Sequence, residues 1–119
     1  MASTTFSGPV TSTHGFVGDI TGGITGDIQS LSGAGAVNTT NLITNITTTG
    51  ADALTLADGT NGQVKIITMV VDGGDGTLTP TTFANGTTMT FDDAGDTVML
   101  VFNSTIGWTI VSDNGVTVA

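Results

Sequence analysis

Residues 63–72, QVKIITMVVD, form the longest apolar run of the chain and contain its only lysine, Lys65. β-Branched residues favour a strand here, and turn residues flank the run on both sides. Strand alternation places Val64, Ile66, Thr68 and Val70 on one face and Lys65, Ile67, Met69 and Val71 on the other. Because both faces are apolar, both need cover. The run therefore predicts a sandwich whose second side meets a neighbouring subunit.

The composition also indicates an all-β protein. The 119 residues include 26 Thr and 18 Gly, but only one Lys and no Arg, Glu, Cys or Tyr. Strong helix formers are scarce, whereas Thr, Val and Ile are abundant. The length allows one domain. From residue 51 onwards, seven or eight short apolar segments alternate with turn residues, which predicts a small β-sandwich or jelly-roll-like body over 51–119.

The charge excludes several classes of partner. A net charge of −9 with a single cation argues against direct nucleic-acid binding and against an anionic membrane surface. No apolar run reaches the roughly 18 residues of a membrane span, and the first residues lack the pattern of a secretory signal. We therefore expect a soluble protein that folds in a cytoplasm.

Residues 1–50 contain no long apolar run and are predicted to form an extended, Gly-rich N-terminal arm. A short phrase repeats within this range as Gly18-Asp-Ile-Thr, Gly22-Gly-Ile-Thr and Gly26-Asp-Ile-Gln. Each glycine would cost a helix about 1 kcal/mol, so a helix is excluded. The repeat resembles those of intertwined trimeric fibres, with a flexible tail as the alternative. The predicted inter-chain or capsid contacts in this part are Phe16, Ile20, Ile24, Ile28 and Leu31.

Self-association is also favoured by the low charge. Only 9% of the residues are charged, whereas a small soluble domain usually carries about 25–35% on its surface. A Thr-rich monomer with an uncharged exterior is the alternative. A body of this size without disulfides also buries little surface by itself, which favours a homotrimer. On the central strand, Ile67, Met69 and Val71 are the predicted oligomer or capsid contacts.

Candidate chemical sites are weak throughout. His14 is the only histidine and has no Cys partner, and no catalytic or phosphate-binding motif is present. The runs Asp72-Gly-Gly-Asp75 and Asp92-Asp93-Ala-Gly-Asp96 could lend carboxylates to calcium, but they do not match an EF-hand and are typical of turns. Trp108 could stack on a sugar, although its alternating context favours core or interface. We therefore predict no enzyme activity, no catalytic residue, no cofactor and no metal.

The second half of the chain resembles small virion-surface proteins of tailed bacteriophages, notably head decoration (cement) proteins of cyanophages and related fibre or knob modules. The segments that carry the resemblance are Asp58-Gly-Thr-Asn-Gly-Gln63, the apolar strand to Val71, Leu78-Thr-Pro80, Asp96-Thr-Val98, Trp108-x-Ile110 and Asn114-Gly-Val116. The starts Thr5-Phe-Ser-Gly-Pro-Val10 and Gly15-Phe-Val-Gly-Asp19 are also similar.

This resemblance implies a structural homotrimer on the outer surface of a virion. Its partners would be itself and the major capsid protein, and it would stabilise the head without catalytic residues. One alternative is a fibre or tail-tip module that binds a host-surface glycan. Another is an acidic, calcium-dependent surface adhesin, which would lose stability in a chelator.

Overall fold

The structure, a computed structural model, describes residues 4–13, 15, 18–19 and 21–119. The all-β prediction is confirmed, because the described residues form strands and no helix, and hence no helix able to cross a bilayer. The strands are β1 (Ile28–Ser32), β2 (Gly35–Val37), β3 (Ile43–Thr47), β4 (Asp52–Leu56), β5 (Val64–Val71), β6 (Gly76–Pro80), β7 (Met89–Phe91), β8 (Thr97–Asn103), β9 (Gly107–Asn114) and β10 (Thr117–Val118).

Two five-stranded sheets make up the sandwich. Sheet A has the order β1-β3-β5-β8-β9, and sheet B has the order β2-β4-β6-β7-β10. In each sheet the first three strands are parallel and the last two are antiparallel. The parallel pairs differ from the antiparallel strands of the predicted jelly-roll-like body.

The parallel strands arise because the chain passes repeatedly from one sheet to the other. Strands β1 and β2 form a first coil, β3 and β4 a second, and β5 and β6 a third, as in a short two-sided solenoid. The first coil begins at Ile28, so the sandwich starts well before the predicted boundary at residue 50. Ile46 and Val37 are part of its buried core. Residues 28–47 are therefore body, not arm.

β5 occupies the centre of sheet A, as the opening run predicts, and β8 lies beside it in an antiparallel pair. The faces are the reverse of the predicted contact assignment. Lys65, Ile67 and Met69 point into the core and are fully buried, while Val64 and Ile66 face outward. Lys65 shares its face with the predicted contacts Ile67 and Met69, and that face is the inward one, although a lysine is rarely fully buried.

The sandwich is closed on one side by residues 82–85, which run along the outer edge of β9. Phe83 forms a parallel bridge to Trp108, whose backbone N–H donates to Thr82 O at 3.0 Å. Gly107 has a φ of +88°, and a Cβ there would lie 2.5 Å from Thr82 O. The segments on the two sides of Asn85-Gly86 therefore pair with different parts of the chain and not with each other. The turn between them is not that of a simple hairpin.

Candidate interaction surface

The outer face of sheet A carries a continuous apolar row across its strands. Ile28 pairs with Ile43, Ile43 with Ile66, and Ile66 with Met99, so four apolar side chains stand side by side in register. Val111 continues the row on β9 at an irregularity in the β8–β9 register, and 56% of its surface is exposed. With Val64 and Val101 in the adjacent row, these residues define what we call the sheet A face.

Carboxylates are scarce on the sheet A face. Its other outward positions are Ser, Thr and Asn together with the exposed Val70, and the aspartates of the described residues lie in loops, at strand ends or in sheet B. Asp113 lies at the margin, where it joins an open cavity of about 320 Å³. That cavity is lined by Ile66, Thr97, Met99, Ser112, Asp113 and Asn114. A chain of net charge −9 thus has one broad face that is mostly uncharged, with the Asp113 carboxylate at its margin.

The outer face of sheet B is polar instead. Thr77 pairs with Thr90, which pairs with Thr117, and Thr55 pairs with Thr79 in the next row. Ala36 and Ala53 complete these rows without adding bulk. Threonine hydroxyls remain well solvated, so this face suits an exterior in water. The two sides of the sandwich therefore differ in the partners they favour.

A polar cluster lies inside the sandwich and ties the three coils together. Gln29 Oε1 accepts hydrogen bonds from Thr44 Oγ1 at 2.8 Å and from Asn38 N at 2.9 Å. Lys65 Nζ donates to the backbone oxygen of Asn41 at 2.8 Å. Burial lowers the pKa of Lys65 to about 8. The hydrogen-bond partner of the buried Lys65 is thus a backbone carbonyl.

The acidic loop between β7 and β8 is organised by its own backbone. Asp96 Oδ2 accepts from the N–H groups of Asp92 and Asp93, at 2.9 and 3.1 Å. Burial opposes the charge of Asp96, but these backbone hydrogen bonds outweigh it and lower its pKa. The hydrogen bond with the Asp96 side chain is the main cause that raises the pKa of Asp92. The loop therefore satisfies its carboxylate without a cation.

The predicted contact residues fall into three groups. Ile67 and Met69 have no exposed surface and cannot touch a partner, so this part of the prediction is wrong. Leu31 is half-buried against the core, whereas Ile24, Ile28 and Val71 are exposed by 77%, 54% and 51%. Phe16 and Ile20 lie outside the described residues, as does His14.

Ile28 is the one residue of the sheet A face that was among the predicted contacts. On β5 the outward residues Val64 and Ile66 were missed, because the predicted contacts Ile67 and Met69 lie on the opposite side of that strand. The sequence signal for this face lies in β8, where Thr97, Met99 and Val101 alternate with the buried residues Val98, Leu100 and Phe102. Pairing of Met99 with Ile66 then fixes which side of β5 faces outward. That pairing depends on register, which a single strand does not reveal.

The candidate metal and sugar sites are not assembled in the described part of the chain. No group of three or more His, Cys, Asp or Glu side chains there could hold a metal ion. Trp108 is fully buried, and its Nε1 donates to Ala57 O at 2.9 Å, so its ring cannot stack on a sugar at the surface. No protein-family model matches the chain, and a comparison with curated proteins finds no significant relative.

Proposed function

We propose that this protein is a structural component of a bacteriophage virion, a capsid decoration or cement protein that acts as a homotrimer. Its sheet A face makes the protein contacts, and its threonine-covered sheet B face points to solvent. The major capsid protein and sister copies are the partners. The observation that carries the proposal is the uncharged apolar row on a strongly anionic chain.

Charge supports this assignment of the faces. Copies that each carry a net charge of −9 repel one another, and they approach closely only where carboxylates are absent. The same repulsion keeps the chain away from DNA inside a head. A face that is apolar at its centre and bordered by Thr, Ser and Asn is typical of protein interfaces. The sheet A face therefore suits a protein partner.

The size of the sheet A face shows that it cannot act alone. Strands lie about 4.8 Å apart and rise about 3.3 Å per residue, so five strands of this length cover roughly 20 by 20 Å. A standard interface buries about 800 Å² on each partner. The flat area is roughly half of that value. A permanent trimer thus needs further contacts, which the exposed N-terminal residues can supply.

The alternative of a glycan-binding fibre tip has less support. Sugar sites in proteins commonly offer an exposed aromatic ring, and Trp108 is enclosed in the core. The cavity at Ile66 and Met99 is open and lined by aliphatic and small polar groups and by the Asp113 carboxylate, with no aromatic ring. No observation on the described residues favours glycan over protein, so the cement function is preferred.

Copy number and position on the virion test the proposal. Virions of the phage that encodes this chain are purified, the chain is quantified by mass spectrometry, and it is located by immunogold labelling. We expect hundreds of copies spread over the head. A few tens of copies confined to the tail would overturn the cement function and support the fibre.

A matched pair of variants tests the face itself. Val111→Asp adds a charge to the sheet A face, and Thr79→Asp adds the same charge to the outer face of sheet B. Both positions are exposed, so neither change should prevent folding. We expect Val111→Asp to reduce head occupancy several-fold and Thr79→Asp to leave it unchanged. Equal occupancy of the two variants would exclude the sheet A face as the contact.

A further inference from the structure

The two edges of sheet A differ in how well their backbone hydrogen-bonding groups are covered. Along β9, residues 82–85 cover the backbone: Ala84 N donates to Trp108 O, and Asn85 Oδ1 accepts from Ile110 N, both at 2.9 Å. The irregular register at Met99 further disrupts this edge. Such cover and irregularity prevent unwanted strand pairing. One edge of the sheet is thus protected.

At the other edge, β1 has none of these protections. Its sequence Ile-Gln-Ser-Leu-Ser contains no charge and no proline, and sheet A ends there in the described part of the chain. Asp27 O and Gly33 N bond to β3, so in a parallel ladder the backbone groups of the intervening alternate residues point outward. These outward residues are Ile28, Ser30 and Ser32. β1 is therefore ready to accept another strand.

The residues just before β1 repeat the sequence pattern with which the chain enters β1. Gly26-Asp27-Ile28-Gln29 enters the first coil with Ile28 in the outer apolar row and Gln29 in the interior cluster. A Cβ at Gly26 would lie 2.5 Å from Leu42 Cδ2. Residues 22–25, Gly-Gly-Ile-Thr, repeat this order of glycine, outward isoleucine and inward polar residue. Placed beside β1, they would extend the apolar row by Ile24.

The same chain cannot place residues 22–25 there. Adjacent parallel strands need a connection of about a dozen residues or more. Paired positions in this fold are separated accordingly, since Ile28 pairs with Ile43 and Ile43 with Ile66. Ile24 precedes Ile28 by only four residues, and 77% of its surface is exposed. A strand that pairs with the free edge of β1 in this way must therefore come from another chain.

We propose that residues 22–25 of a second copy of this chain add to the free edge of β1 as a parallel strand, with Ile24 beside Ile28. Ile28 N–H then donates to the carbonyl of residue 23, and Ile28 C=O accepts from the N–H of residue 25. Main-chain bonds of this kind give affinity at sheet edges. Because donor and acceptor surfaces differ, the contact is head-to-tail, and three copies close it into a ring. The inference rests on the self-association in the proposed function and specifies its geometry.

Disulfide trapping tests this register, and the natural absence of cysteine makes the result specific. The double variant Ile24→Cys/Ile28→Cys is oxidised under mild conditions and run on a non-reducing denaturing gel. Within one extended strand, positions four apart are separated by about 13 Å, beyond the roughly 7 Å limit of a disulfide. Positions 24 and 28 of neighbouring copies would be about 4.8 Å apart. We expect a covalent trimer in high yield.

Two controls separate the possible failures. Ile24→Cys/Ile106→Cys places the second thiol at another exposed isoleucine, in the turn between β8 and β9, and should remain monomeric on the gel. Ile24→Cys alone can link at most two chains. Light scattering of the unmodified protein gives its mass in solution. A trimer in solution without the specific crosslink would refute strand addition but not self-association, and a monomer in solution would refute both.

Discussion

Raising the pH from 8 to 10.5 is expected to stabilise this protein, because its one lysine is buried. Burial lowers the pKa of Lys65 from 10.5 to about 8. Between these values the unfolded chain holds a proton that the folded chain has released, so the free energy of unfolding rises with pH. Each tenfold change in an acid constant is worth about 1.4 kcal/mol, which gives a gain of roughly 3 kcal/mol across this range. The gain is absent below the lower pKa.

The chain is well suited to this measurement. It has no Tyr, Cys or Arg, so Lys65 is the only side chain that titrates in the alkaline range. Urea unfolding can be followed by the fluorescence of Trp108, the single tryptophan. The variant Lys65→Met keeps the aliphatic length without the charge, and its stability should not change over the same pH range. Stability that falls with pH, or an equal rise in Lys65→Met, would refute the reasoning.

Two further predictions concern the core and the acidic loop. Met69→Ala should lower the free energy of unfolding by about 2–5 kcal/mol, while Val71→Ala should change it by less than about 0.5 kcal/mol, as measured by urea unfolding. Asp96→Asn should cost about 1–3 kcal/mol at neutral pH, with Asp93→Asn as control. Because the folded pKa of Asp96 is lowered, this contribution is present above the ordinary aspartate pKa and is lost as the pH falls through the folded value. An Asp96→Asn variant that matches the wild type in thermal melts would contradict this.

The strands of the second half could be predicted from sequence because apolar alternation and turn residues mark them directly. The first coil could not, because its strands are short and Gly-rich and acquire their burial only by stacking on the next coil. The contact face of the central strand was predicted wrongly for a different reason. Lys65 carries a charge, and only the Asn41 carbonyl above it explains why the charge can be inside. The sheet A face could not be predicted either, because its residues come from different strands and only the register of the strands brings them together.

The mixture of parallel coils and antiparallel strands has a consequence for synthesis on the ribosome. β8 and β9 are joined by three residues and pair locally, so they can form early. They are also made after the three coils, and β5 needs β8 as its neighbour in sheet A. The coils emerge first but cannot bury their apolar sides until this late hairpin is complete. We therefore expect folding to be completed only after the C-terminal strands leave the ribosome, with the nascent coils dependent on cellular chaperones until then.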